Sequence, residues 1–241
     1  MVGIIDIHSH IVPDVDDGAK TLDESKQMLQ LAYNEGIRTI IATPHFRRRM
    51  FECPLQKRKE QYEKLKEVAA QIGDGMTIIF GCECYADSNL IERLATGECC
   101  TIGNSSYVLT EFSERRDFAY VRQIIYDLVC NGYEPIVAHV ERYGYLKKEN
   151  IEELISLGAK MQINAESIIG KEGRKIKKFC KMMMKEGLLS FVATDAHGVK
   201  DRPPEIASCA AYIEKKMGKD YAKKILINNP LALIDQIKEG A

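Results

Sequence analysis

Residues 2–18 read Val-Gly-Ile-Ile-Asp-Ile-His-Ser-His-Ile-Val-Pro-Asp-Val-Asp-Asp-Gly. The apolar opening, residues 2–5, predicts a buried strand. A strand sends side chains i and i+2 to one face, so Asp6, His8 and His10 start out pointing the same way. Two imidazoles and a carboxylate converging at a strand end suit a divalent metal. A polar turn with hydrogen-bonded histidines would account for the same stretch, so the rest of the chain must decide.

Working outward, Thr21 and Glu24 form a capping box for a helix that should run to Glu35 and stop at Gly36. Apolar, β-branched runs predict strands over 37–43, 76–81, 107–110, 135–140, 160–164 and 188–194. Helical spacing fills the intervals over 55–72, 88–95, 117–131, 150–157 and 172–186, and two or three helices follow Pro203. Seven strands alternating with helices imply a parallel sheet. With no glycine-rich dinucleotide fingerprint, a closed or nearly closed barrel is favoured, with its working face at the C-terminal strand ends. The length of 241 residues fits one domain spanning 1–241.

All five histidines sit at or just past a predicted strand end: His8 and His10, His45, His139 and His197. Any one of them alone would read as a satisfied core or surface residue. Together with Glu83, Glu111, Asp195 and the first-loop pair Asp16-Asp17 they form a donor set too large for one ion, and suit two or three first-row divalent ions. Arg142 and Arg202 follow His139 and His197 closely enough to reach the same face, where a guanidinium binds phosphate oxygens. Arg47, Arg48, Arg49, Arg115 and Arg116 lie in loops on that rim. They predict either solvated loops or a cationic collar for an acidic phosphorylated substrate.

Composition narrows the alternatives. The net charge of -1 gives no global field to recruit nucleic acid. No apolar run reaches the roughly 18 residues of a membrane span, and no secretory signal opens the chain, so a cytoplasmic protein is expected. None of the eight cysteines forms a C-x-x-C pair, so a zinc ribbon is not expected, and none precedes an arginine by six positions, so the cysteine-phosphatase loop is absent. Cys82 and Cys84 should point away from the side of Glu83, into packing.

Six motifs carry a resemblance: Asp6-x-His8-x-His10, Thr43-Pro44-His45, Gly81-x-Glu83, Thr110-Glu111-Phe112, Ala138-His139-x-Glu141-Arg142 and Asp195-Ala196-His197. They resemble the PHP (polymerase and histidinol phosphatase) superfamily. The opening stretch is similar to the PHP protein-tyrosine phosphatases of Gram-positive capsular and exopolysaccharide operons. The resemblance covers residues 4–204 and implies a distorted (β/α)7 TIM-like barrel with a trinuclear centre. Carried over by motif, His8, His10, Glu83 and Asp195 would hold the first ion. Glu83, Glu111 and His139 would hold the second, and Asp17, His45 and His197 the third, with Asp16 the alternative to Asp17. Manganese is the first choice of metal; iron, zinc, cobalt and magnesium are alternatives. Many PHP proteins have histidine where this chain has Glu111 and the first-loop aspartate, which favours the tyrosine-phosphatase branch.

The implied activity is metal-dependent hydrolysis of phosphotyrosine, with Arg142, Arg202, Asp195 and His197 in catalytic roles. Arg47, Arg48, Arg49, Arg115 and Arg116 would bind substrate. The implied partner is an autophosphorylating tyrosine kinase with a tyrosine-rich tail that controls capsule synthesis. The competing expectations are a small-molecule phosphatase such as histidinol phosphatase, a nuclease, and a non-catalytic metal-binding regulator.

Overall fold

The first strand, β1, runs Ile4–Ser9, so Asp6 and His8 lie within it rather than beyond its end. The structure, a computed structural model, describes residues 3–239. Val2, expected in the first strand, lies outside them. After β1 the chain folds back on itself. Ala19 N–H donates to the His10 carbonyl at 3.0 Å, and Gly18 lies so close that a Cβ there would sit 2.0 Å from that oxygen. Helix α1 (Leu22–Asn34) follows, with Thr21 accepting from Glu24 N–H. Glu24 reaches back to the Lys20 N–H, one residue before the expected partner. Ser25, Met28, Leu29 and Ala32 form the buried stripe, at the spacing that puts one helical face on the core.

The strand expected over 37–43 is interrupted, not ended. β2 (Ile37–Ala42) stops before Pro44, which has no N–H for a ladder, and pairing resumes at β3 (His45–Phe46). After α2 (Leu55–Ala69), the next strand breaks in the same way into β4 (Thr77–Phe80) and β5 (Glu83–Tyr85). Gly81 N–H to the Ala42 carbonyl and Glu83 N–H to the Pro44 carbonyl carry the ladder across the breaks. Then come α3 (Leu90–Thr96), β6 (Tyr107–Glu111), α4 (Phe118–Cys130) and β7 (Glu134–Val137). They are followed by α5 (Lys148–Ser156), β8 (Lys160–Asn164), a short unforeseen α6 (Ala165–Ile169), α7 (Arg174–Lys185) and β9 (Phe191–Ala193). His139 is not in a strand as expected: β7 ends at Val137, and His139 takes a left-handed conformation (φ 33°, ψ 53°) entering a 3-10 turn.

Pairing between these strands is parallel, in the orders β1-β2-β4 and β3-β5-β6-β7-β8-β9. The sheet curls until β9 meets β1: Asp195 N–H donates to the His8 carbonyl at 2.9 Å and His10 N–H to the Ala196 carbonyl at 2.8 Å. An outer core packs the strands against α1–α7. An inner core holds Ile5, Ile7, Ile41, Leu109, Ile136 and Phe191. The C-terminal helices α8 (Ala207–Met217), α9 (Lys219–Lys223) and α10 (Asn229–Glu239) follow, and Leu233 and Ile234 of α10 plug that inner core from the end opposite the histidines. No helix among the described residues is long and apolar enough to cross a membrane.

Candidate metal centre

Glu83 is the hub. It opens β5, immediately after the kink, and its carboxylate is buried. Its Oε2 lies 3.2 Å from His8 Nε2, 3.2 Å from His10 Nε2 and 3.0 Å from His45 Nδ1, and its Oε1 lies 2.9 Å from His139 Nε2. Yet Oε2 accepts no hydrogen bond of good geometry. His8 Nε2 and His10 Nε2 also face each other at 3.2 Å. Lone pairs converging on one buried point without aligned protons are costly unless a cation satisfies them, so the donor set fits a divalent metal. Three such groupings overlap: His8, His10 and Glu83; His45, Glu83 and Glu111; and His10, Asp17, His45 and His197.

Asp195 joins the first grouping, with Oδ1 3.3 Å from His8 Nε2 and 3.5 Å from His10 Nε2. Its left-handed backbone (φ 54°) turns the carboxylate inward. Its Oδ2 accepts from Asn164 Nδ2 at 2.8 Å and pairs with Arg142 Nη1 at 3.1 Å and with Arg202. Burial works against its charge, but His8, His10 and the two arginines outweigh that and hold its carboxyl well below the usual range. Glu83 is held low in the same way, by His8 and His45 against its burial. Glu111 goes the other way: burial, then the Glu83 charge, raise it to about 7. Burial and the neighbouring His10 lower His197 to about 4, leaving its imidazole neutral at pH 7.

Behind the convergent atoms stands a layer of orienting groups, which fix ring tautomers and directions. Asp16 Oδ2 accepts from His10 Nδ1 at 2.7 Å and from the His45 N–H at 2.8 Å, and Oδ1 accepts from the Gly18 N–H. Both its oxygens are thus engaged behind the site, whereas half-exposed Asp17 faces His45 (3.7 Å) and His197 (3.5 Å). Gln162 Oε1 accepts from His8 Nδ1 at 3.1 Å and from the His139 N–H at 2.9 Å. The Tyr143 hydroxyl lies 3.3 Å from His139 Nδ1 and accepts from the Phe112 N–H. Gln162, Asn164 and Tyr143 were not anticipated from the sequence. The first two sit at i and i+2 on β8, the same alternation that exposes His8 and His10. Asp6 stays outside the cluster: a bulge between Asp6 and Ser9 breaks the alternation, and its two oxygens accept from the Thr194 N–H and hydroxyl.

A pocket of about 220 Å³ opens onto these groups. Arg142 and Arg202 line it, with Arg47, Met50 and Phe51 at its mouth. Phe51 stacks on His45 at 4.9 Å and Arg47 lies 4.0 Å above the Tyr85 ring. The other rim arginines are not brought to this wall. Arg48 pairs with Glu98 (3.0 Å) and Glu52 (3.8 Å), and lines a separate groove with Arg49. Arg116 lies over Tyr120, and neither it nor Arg115 lines the pocket.

Comparison with known proteins fits this geometry. A family model described as "Capsular polysaccharide synthesis, CpsB/CapC" matches residues 4–235. The tyrosine-protein phosphatase CpsB of Streptococcus pneumoniae is 36% identical, over 97% of this chain and 100% of that protein. The tyrosine-protein phosphatase YwqE of Bacillus subtilis is 31% identical, over 97% of this chain and 92% of its own. Among solved structures, one from a study of YwqE and CpsB as metal-dependent tyrosine phosphatases superposes with a TM-score of 0.88 at 32% identity, covering 97% of this chain and 95% of that one. A phosphotriesterase homology protein from Escherichia coli shares the fold at TM-score 0.62 and 14% identity, over 95% and 97% of the two chains. The order of motifs, the curled parallel sheet and the near full-length matches lead to one conclusion: the chain belongs to the CpsB/CapC family of capsular polysaccharide synthesis.

Proposed function

We propose that this chain is a metal-dependent protein-tyrosine phosphatase. The observation that carries the reading is the Glu83 hub, four imidazoles on one buried carboxylate, beneath a pocket walled by two arginines. His8, His10, Glu83 and Asp195 would hold one ion, Glu83, Glu111 and His139 a second, and Asp17, His45 and His197 a third. Manganese suits this nitrogen and oxygen donor set. When bound, the ions supply Lewis-acid stabilisation and activate water. The chain's own residues do the rest. Arg142 and Arg202 meet charge developing on the phosphoryl oxygens. Phe51 and Met50 offer an apolar wall to an aryl ring. Neutral His197 is available as a ligand and not as a proton donor. A tyrosine phenolate, with a free pKa near 10, leaves with little acid assistance.

The fold beneath this site reads as a distorted (β/α)7 barrel if β2/β3 and β4/β5 each count as one broken strand. The physiological substrate we infer is the phosphorylated tyrosine-rich tail of a kinase in capsule synthesis. The test compares manganese-loaded protein on a phosphotyrosine peptide and on histidinol phosphate. A kcat/KM at least tenfold higher on the peptide is expected; equal or reversed values overturn the assignment to phosphotyrosine.

A further inference from the structure

We propose that Cys82, Cys84 and Cys99 form a second metal site, for a thiophilic divalent cation such as Zn²⁺, on the outer face of β5 behind the phosphatase centre. Their sulfur atoms all lie within 4.8 Å of one another, and all three residues are buried. Cys82 and Cys84 flank Glu83, and alternation along the chain turns them outward as Glu83 turns inward. Cys99 arrives from the loop after α3, positioned by its N–H on the Arg93 carbonyl at 3.1 Å. Three sulfurs on one point make a soft donor set, unlike the nitrogen and oxygen donors in front of it.

The second observation is Arg58 on α2. Its side chain is fully buried, although a guanidinium stays charged in proteins. It donates to the Cys53 carbonyl at 3.0 Å, to the Glu98 carbonyl, and to Cys82 Sγ at 3.3 Å. None of these partners is a carboxylate, so this buried cation takes its counter-charge from the thiols beside it. A bound cation takes all three as thiolates, and any proton they still carry goes to solvent. Three thiolates around a divalent cation carry one net negative charge, and Arg58 cancels it. With those three thiolates the site would be neutral as a whole; the Cys100 thiol, which also lies against Cys82, is not among them. The guanidinium also lies 5.1 Å from the Phe46 ring, next to His45, so the thiol site braces β3 and β5 from behind.

The test uses the full chain, first loaded with manganese and then given one equivalent of Zn²⁺. X-ray absorption at the zinc edge should show three sulfur neighbours at about 2.3 Å. A shell of nitrogen and oxygen alone overturns the proposal. In parallel, Cd²⁺ titration should produce a sulfur-to-metal charge-transfer band that saturates at one equivalent per chain. Cys99→Ser should weaken that binding at least tenfold, and Cys130→Ser, at an exposed thiol, should leave it unchanged. A band that survives Cys99→Ser, or disappears with Cys130→Ser, overturns the site. If Cys99→Ser does not fold, the zinc-edge measurement on the unmodified chain decides alone.

Discussion

Arg142→Ala separates two roles that one guanidinium could play. Nη1 lies 3.1 Å from Asp195 Oδ2 and Nη2 lies 3.7 Å from Glu172, with the side chain 22% exposed in the pocket wall. At an effective dielectric of about 20, a charge pair at that 3.1 Å spacing is worth about 5 kcal/mol before desolvation. Asp195 does not depend on it alone, because Arg202 and Asn164 Nδ2 hold the same oxygen. Loss of Arg142 should therefore weaken manganese binding only about tenfold, the low end for an orienting partner. If Arg142 also meets the phosphoryl group, removing one preorganised donor lowers kcat by about 10²- to 10³-fold, roughly 3–4 kcal/mol. The loss should be equal on an aryl phosphate and on a phosphotyrosine peptide, since both present the same phosphoryl group. The assay is kcat on both substrates across a manganese titration. Full recovery of kcat at saturating manganese would refute the phosphoryl contact and leave Arg142 as an anchor for Asp195. An unimpaired variant would pass the contact to Arg202.

Other outcomes follow from the same geometry. Gln162→Leu removes the acceptor shared by His8 Nδ1 and the His139 N–H, and should lower manganese affinity about 10- to 100-fold by calorimetric titration, with unchanged affinity counting against the orienting role. Arg47→Ala should raise KM for an acidic phosphopeptide, most at low salt, while Arg48→Ala, already neutralised by Glu98 and Glu52, should leave it unchanged; equal effects would refute the distinction. Glu141 is buried, and burial raises it from 4.5 to about 7 in the folded chain. A raised carboxyl contributes stability that is complete below its unfolded value and lost as pH rises through the folded one, here about 3 kcal/mol between about pH 4.5 and pH 7 and above. Glu141→Gln keeps an acceptor for the Asn164 N–H and removes that loss, so urea unfolding should show its advantage over the parent growing with pH; a constant difference would refute the buried titration.

The sequence makes some of this site readable and hides the rest, for physical reasons. His8 and His10 are visible because alternation along β1 and a shared polar character mark them in an apolar run. Gln162 and Asn164 carry the same alternating signal on β8, but uncharged carboxamides look like ordinary strand residues until the imidazoles they orient are in place. The different surroundings of Asp16 and Asp17 are invisible locally: they are set by Gly18 folding onto the His10 carbonyl. The neutralisation of Arg48 rests on Glu98, fifty positions away, and the proximity of Cys99 to Cys82 on a loop return. Both are tertiary facts with no periodic trace. The kinks at Pro44 and Gly81 look like strand ends in the sequence because proline and glycine interrupt the strand pattern there, although pairing resumes beyond each.

The joint between β9 and β1 has a consequence for how this molecule opens. Its two backbone hydrogen bonds run through His8, His10 and Asp195, whose side chains belong to the candidate metal cluster, while the Asp6 side chain adds two more to Thr194. The backbone part of the latch and the proposed grip on a cation are therefore built from the same residues. A cation held by those side chains would clamp the first strand to the last, and a chelator would release that clamp. Local opening would begin at this joint, with the His10 and Asp195 amides exchanging their hydrogens faster on chelation. The amides of Ile5 and Ile7, seated over Leu233 and Ile234, would keep their slow exchange. Metal supply would then set the lifetime of one end of the molecule and leave the other untouched.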